Sequence, residues 1–240
     1  MEHAIVLKPE ILGYFKNFPI TNTLLVSWIT VLILTVLSIA LRFRVKLVPG
    51  NLQSVFEVII DGAYSTVEGL AGDKKAKVFF PIVTTFLLFI LVSNWLGLLP
   101  GFGTIKYHGE ILFRSMNSDL NMTLALALTS AFLTHAFAIY YLGILDYLKK
   151  WFTLNPIFLF VGLLELVGEF TKIVSLSFRL FGNIFAGEVV LATVSSIFAF
   201  LVPLPFYFLE IIVGFVQAAV FMMLTLVFMV LLSEKHAAEH

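Results

Sequence analysis

Five charged side chains fall inside a stretch that is otherwise apolar enough to lie in a bilayer: Glu165, Glu169, Lys172, Arg179 and Glu188, between Asn155 and Leu201. An arginine at the bilayer centre costs about 2.5–3.5 kcal/mol on insertion scales, so ionisable groups kept at that depth point to ion handling, proton relays above all. Carboxyl groups can take and give a proton. An arginine keeps its charge in proteins, whereas a buried lysine can lose it. Spacing sorts these residues: Glu165, Gly168, Lys172, Ser175, Arg179, Gly182 and Asn183 recur at steps of three and four and share one helix face. That stripe mixes polarity with glycine, which lets a neighbour approach closely. Glu188 comes nine residues after Arg179, about half a turn off the stripe, and faces something else. Further on, Tyr207, Glu210, Gly214 and Gln217 share a second face. If the two segments form a hairpin, Arg179, Asn183, Glu188, Glu210 and Gln217 line one polar surface. The bland alternative is mutual neutralisation, for instance of Glu165 or Glu169 by Lys172. Arg179 has no acid three or four residues away, so a simple pair within its own helix is closed to it. His135, midway along another apolar stretch, reads as a hydrogen bond to a neighbouring helix in preference to a relay.

The elements that must carry these residues are membrane helices. Of 240 residues, 60% are hydrophobic, 12% are charged and 26 are Phe, and 15 basic residues balance 15 acidic ones. Soluble domains average about 25% charged residues, so a soluble globular enzyme, a disordered chain and a basic nucleic-acid binder are all excluded. The absence of cysteine excludes disulfides and thiolate metal sites, and no metal or cofactor is expected. A span needs about 20 mainly apolar residues. Asn22–Leu41, Val78–Leu99 and Leu120–Leu145 qualify without a charge, residues 155–201 with five, and Phe206–Leu232 with Glu210 alone. The expectation is an all-α polytopic membrane protein of five spans, forming a single integral membrane domain over 1–240. The fourth span would reach about 70 Å as one helix, against a hydrocarbon core of about 30 Å. Either it tilts strongly or its ends run outside the core, and it pairs with the fifth as a long hairpin turned at Pro203 and Pro205. A surface helix is expected over 51–71: Leu52, Val55, Phe56, Ile59, Ile60, Ala63, Val67 and Leu70 recur at helical spacing, with Glu57, Asp61 and Glu68 on another face. It reads as a cap over the bundle.

Basic residues set the orientation. If all five blocks span, Arg42, Arg44, Lys46, Lys74, Lys75, Lys77, Lys149, Lys150 and Lys235 lie on one side, against Lys8, Lys16, Lys106 and Arg114 on the other. The excess places the C-terminus, with His236, in the cytoplasm and the N-terminus outside. Met1–Pro19 resembles neither a cleaved signal nor a transit peptide, so a bacterial plasma membrane is expected.

The run Ser175-Leu-Ser-Phe-Arg179-Leu-Phe-Gly-Asn183-Ile-Phe-Ala-Gly-Glu188 resembles the signature of subunit a of the rotary F-type ATP synthase. Three other stretches resemble the same family: Pro81-Ile-Val-Thr-Thr through Ser93-Asn94-Trp-Leu-Gly-Leu-Leu-Pro100, Asp119-Leu-Asn121-Met-Thr123, and Gln217-Ala-Ala-Val-Phe-Met-Met-Leu-Thr225. The resemblance implies a membrane stator subunit, not an enzyme on its own. It would stand beside a ring of c subunits, each bearing one carboxylate, and be held with the peripheral-stalk b subunits, the other synthase subunits and membrane lipid. Two offset half-channels would pass protons to and from the ring. By the same resemblance Arg179 matches the essential arginine between them, and Glu188, Glu210, Asn183 and Gln217 match polar positions along the ion path. Glu165 matches an acid of the cytoplasmic side; Asn94 and Asp119 match positions of lesser weight, and Lys172 and Ser175 support the signature helix. The chain departs from the family in two places. Lys172-Ile173 stands where many relatives have Lys-Pro, and two glutamates stand where some pair an acid with a histidine.

Two other functions compete. An independent ion-coupled secondary transporter needs a midplane cavity with broken helices, and no Gly/Pro-interrupted pair of spans is visible. An intramembrane hydrolase needs a nucleophile–base pair or a metal motif, and there is neither Cys nor HExxH.

Overall fold

The computed structural model describes residues 9–44, 50–99, 102–103, 105–107, 109–151, 156–197 and 201–234. Lys8, Lys46, Lys235 and His236, on which part of the orientation rests, lie outside the described residues, as do Pro100 and positions 155 and 198–200 of the expected fourth span. Six helices carry the fold: α1 (Asn22–Arg44), α2 (Asn51–Gly97), α3 (Leu120–Leu142), α4 (Ile144–Trp151), α5 (Pro156–Ile197) and α6 (Pro203–Ser233). Among the described residues four are long and apolar enough to cross a membrane, within α1, α2, α3 and α6. α5 runs 42 residues as one helix, about 63 Å at 1.5 Å per residue, and carries all five charges of its stretch.

Two glycines shape this order. At Gly72 (φ 71°, ψ 158°) the backbone leaves helical geometry, so α2 bends between the surface segment and the span; a side chain there would meet the steric penalty that glycine avoids. Lys74, Lys75 and Lys77 therefore sit in a helix, with Lys77 paired to Asp73 at 3.1 Å. Gly143 (φ 83°) ends α3, its N–H bonded to the Ile139 carbonyl at 2.9 Å. The third apolar block thus stops at Leu142, and Ile144 and Leu145 begin the short α4.

Packing follows the logic of a lipid solvent. α1 exposes Trp28, Val31, Leu32, Val36 and Ile39 and buries Asn22, Thr23, Ser27 and Thr30, the reverse of a water-soluble helix. Where lipid and core are equally apolar, close packing and interhelical hydrogen bonds do the holding. Ser130 on α3 shares a 2.8 Å bond with Thr225 on α6, and Thr123 a 3.1 Å bond with Ser177 on α5. Between them lie Val83, Phe86 and Ile90 of α2, Ala127 of α3, Leu176 and Leu180 of α5, and Phe221, Leu226 and Met229 of α6. The surface segment covers less of this bundle than a cap would: Val67 is buried and Tyr64 meets Phe80 edge-on at 5.2 Å, but Val58, Ile59, Ile60 and Leu70 are exposed.

Two short hairpins add to the expected all-helical plan: β1 (Ile11–Phe15) with β2 (Phe18–Thr21), and β3 (Lys106–Tyr107) with β4 (Glu110–Ile111). They gather at one end of the bundle. The Glu10 carboxylate accepts the Ile111 N–H at 2.6 Å, Asn22 donates to the Ile111 carbonyl at 3.1 Å, and the Thr23 hydroxyl donates to Asp119 at 2.9 Å. At the other end Lys75 donates to the Ser233 carbonyl at 3.2 Å, and α4 folds back beside α3 and α5.

Candidate functional site

Three polar groups occur along α5. Toward the hairpin end, Glu188 of α5 and Glu210 of α6 line one cavity of about 40 Å³ with Asn94, Gly97, Ser115 and Leu191. That exceeds the roughly 10–15 Å³ that one water needs. Gly187 makes the pairing possible, because a Cβ there would run into the Glu210 carboxylate. Gly214 does the same one turn along α6, where a Cβ would meet Asn94 Cβ at 3.2 Å. Asn94 donates to the Gly214 carbonyl at 3.0 Å and accepts from Asn117 at 2.6 Å, and Asn117 also donates to Ser93 at 2.8 Å. Glu188 faces Ser118 and feels the charges of Arg114 and Glu210; Arg114 Nε in turn donates to Ser118 Oγ at 3.2 Å. Among the described residues the buried Ser115 Oγ and Asn117 Oδ1 have no hydrogen-bond partner, and such groups are ordinarily satisfied by water. Two carboxyl groups facing one small polar cavity can hand a proton between them through a single water.

The second group is central. Asn183 donates to the Gln217 side chain at 2.6 Å, tying α5 to α6, and Gln217 is buried. Arg179, one turn before Asn183, is exposed; its one hydrogen bond is a long 3.4 Å contact with Ser175, and it makes no salt bridge among the described residues. Cβ atoms added at Gly168 or Gly182 would meet nothing within 4 Å. The stripe from Gly168 through Ser175 and Arg179 to Gly182 and Asn183 is therefore open on the outside of the chain. An arginine is costly against hydrocarbon, and the glycines beside it leave room for a closely packed neighbour.

The third group lies toward the other end. Lys172 pairs with Glu169 and stands 4.5 Å over the Phe228 ring of α6. His135 Nε2 is 4.0 Å from the second oxygen of Glu169, while its Nδ1 is 2.9 Å from the Tyr147 hydroxyl on α4. Burial pushes the Tyr147 phenol up from its ordinary value of 10.0, and the charges of Glu169 and Glu165 push the same way. Tyr147 thus stays a hydrogen-bond donor at neutral pH. A cavity of about 20 Å³ reaches this group between Ser130, Thr134, Glu169, Lys172 and Phe228. Along α5, Arg179 is ten residues past Glu169 and nine before Glu188, about 15 Å and 14 Å of helix.

The family described as ATP synthase A chain matches residues 24–230. The chain belongs to that family. Among curated relatives, ATP synthase subunit a of Geotalea daltonii is 35% identical over 84% of this chain and 83% of its own. That of Trichlorobacter lovleyi is 33% identical over 86% and 85%, and that of Syntrophobacter fumaroxidans 32% over 93% and 89%. The chain is accordingly a multi-pass membrane protein of the ATP synthase subunit a family, the proton-channel subunit of the membrane sector, with no catalytic centre of its own.

The residues singled out from the sequence are distributed unevenly over this geometry. Glu188, Glu210 and Asn94 meet at one cavity, and Asn183 meets Gln217. Arg179 joins neither group directly, and Tyr207 is 39% exposed while Glu210, Gly214 and Gln217 are buried. Lys172 takes Glu169 as its partner. Asp119 is a structural linchpin: it caps α3 by accepting the Asn121 N–H at 2.9 Å while holding Thr23 of α1. The sequence reading passed over Gly187, Ser93, Ser115, Asn117 and Tyr147. Only Gly187 had a visible signal, a glycine directly before an intramembrane acid.

Proposed function

We propose that the chain passes protons by two offset half-paths to and from the carboxylates of a ring of c subunits seated against the open face of α5, with rotation of the ring coupled to ATP synthesis. The single observation that carries this reading is the exposed Arg179 stripe, a polar and glycine-lined face between two polar groups that do not join among the described residues. Arg179 would draw the proton from each ring carboxylate as it arrives, since a nearby cation favours the ionised acid. Staying charged itself, it would also block direct passage between the half-paths. Glu188 and Glu210 would serve the half-path at the hairpin end, aided by Asn94 and water. Asn183 and Gln217 would hold α5 and α6 in register beside Arg179, with Ser175 supporting the guanidinium. Glu165 and Lys172 would belong to the other half-path.

The excess of basic residues at Arg42, Lys74, Lys75, Lys77 and Lys149 supports a cytoplasmic α4 end and an outer hairpin end. In that orientation the chain works as one unit of five spans, α5 being the fourth, in a bacterial plasma membrane beside the peripheral-stalk b subunits. The driving force available is about 2.3 kcal/mol per charge per 100 mV. Because the chain has no cysteine, Gly182→Cys can be cross-linked selectively to a cysteine placed beside the ring carboxylate in the assembled complex. A cross-link that forms and stops rotation supports the reading. A residue 182 that reacts with lipid-soluble reagent alone, with the ring present, refutes it.

A further inference from the structure

The group at the α4 end contains more chemistry than the resemblance assigns to it. We propose that His135, together with Tyr147 and Glu169, is the station at which this chain exchanges protons with the aqueous phase on the α4 side. This deepens the proposed function by naming groups of the second half-path, and it rests on that reading.

Four observations converge. The first is position: the group lies about 15 Å along α5 from Arg179, at the opposite end from Glu188 and Glu210. The second is a gradient of exposure, the Glu169 side chain being 12% exposed and those of His135 and Lys172 29% and 32%. The third is the cavity of about 20 Å³ beside Glu169 and Lys172, lined by the Ser130 and Thr134 residues, large enough for one water on the inner side of the group. The fourth is that both imidazole nitrogens face polar atoms on other helices, Nδ1 the Tyr147 hydroxyl at 2.9 Å and Nε2 Glu169 at 4.0 Å. The ionisable groups around His135 are Tyr147 of α4 and Glu169, Lys172 and Glu165 of α5, the last acting on Tyr147. The α6 residues at this level, Phe228 and Leu232, are apolar.

This arrangement can hold one proton reversibly. In the neutral ring Nδ1 accepts the Tyr147 O–H and Nε2–H points to Glu169. A proton arriving at Nδ1 makes that nitrogen a donor; the Tyr147 O–H rotates away and its oxygen accepts instead. The imidazolium then lies between the phenol oxygen and a carboxylate already shared with Lys172. That sharing limits how firmly the carboxylate can hold a second cation, so Nδ1 releases its proton to water and the Tyr147 O–H turns back to donate to it. One proton enters, one leaves, and no other bond changes. Histidine suits the step because its charge changes near neutral pH.

The test uses the whole synthase in membrane vesicles, with His135→Gln, His135→Glu and Tyr147→Phe. Proton flux is measured against the pH on the α4 side, and assembled complex is quantified. His135→Gln should assemble normally, lose about a hundredfold in flux and lose the pH midpoint of flux that the unsubstituted complex shows. His135→Glu should restore flux with the midpoint moved to lower pH. A wild-type rate and profile in His135→Gln, or a reduced rate with an unchanged profile, overturns the station. If His135→Gln does not assemble, Tyr147→Phe decides: a moved midpoint supports the station and an unmoved one overturns it. Arg179→Ala is measured alongside. Blocked flux there with normal His135→Gln removes the station and leaves the proposed function standing, whereas intact coupling in Arg179→Ala removes the function itself.

Discussion

Gly187→Ala should separate proton uptake from folding. The added Cβ would run into the Glu210 carboxyl group, the far end of a flexible side chain. Glu210 must therefore rotate or sit off its rotamer, at about 0.5–1.5 kcal/mol. Replacing a helical glycine by alanine returns about 0.5–1 kcal/mol. The two nearly cancel, so the amount of assembled complex and its thermal stability should change little. Flux should not escape so lightly, because the carboxyl that turns away is one of only two lining the cavity of about 40 Å³. A well-placed acid–base group contributes about 10²- to 10⁴-fold. With water able to bridge part of the gap, the expected loss is at the lower end, about a hundredfold. ATP-driven acidification of vesicles, followed with a pH-sensitive dye and normalised to complex recovered, measures it. In a Glu210→Gln background Gly187→Ala should add little, since both act on one group. Wild-type flux in Gly187→Ala, or a loss that merely tracks lost assembly, would refute the reasoning.

Asp119→Ala removes both the α3 cap and the acceptor of Thr23. It should cost about 1–3 kcal/mol, read as a lower melting temperature with no change in the pH profile of flux. Gln217→Leu leaves Asn183 without its 2.6 Å partner and should cost about 1–3 kcal/mol while weakening coupling; unchanged stability would show the bond to be idle. Lys74→Cys, exposed in the bend of α2, should react with impermeant maleimide only from the cytoplasmic side, and labelling from outside intact cells would reverse the proposed orientation.

The helices were legible because lipid demands long apolar runs: Asn22 and Leu120, foreseen as starts of spans, begin α1 and α3. The break at Gly143 was not foreseen, since Ile144 and Leu145 continue the apolar pattern and only the backbone angle separates them. The hairpins were missed for a different reason. Their strands are two to five residues long, and the turn at Lys16 takes φ 56° without a glycine to mark it. Along α5, helical periodicity predicted the stripe and set Glu188 apart from it. What Glu188 meets depends on Glu210, Asn94 and Ser115 from three other parts of the chain, and no local spacing encodes that. The choice of Glu169 over Glu165 by Lys172 is likewise a matter of side-chain reach, since both acids are within two turns.

Arg179 carries the central claim. ATP synthesis driven by an imposed proton gradient, in vesicles whose synthase bears Arg179→Ala, tests it most directly. The account predicts an assembled complex with no measurable synthesis and no ATP-driven pumping, and the same failure in Arg179→Lys, because a lysine in this setting can shed its proton. Synthesis in Arg179→Ala at a rate near that of the unsubstituted complex would contradict it.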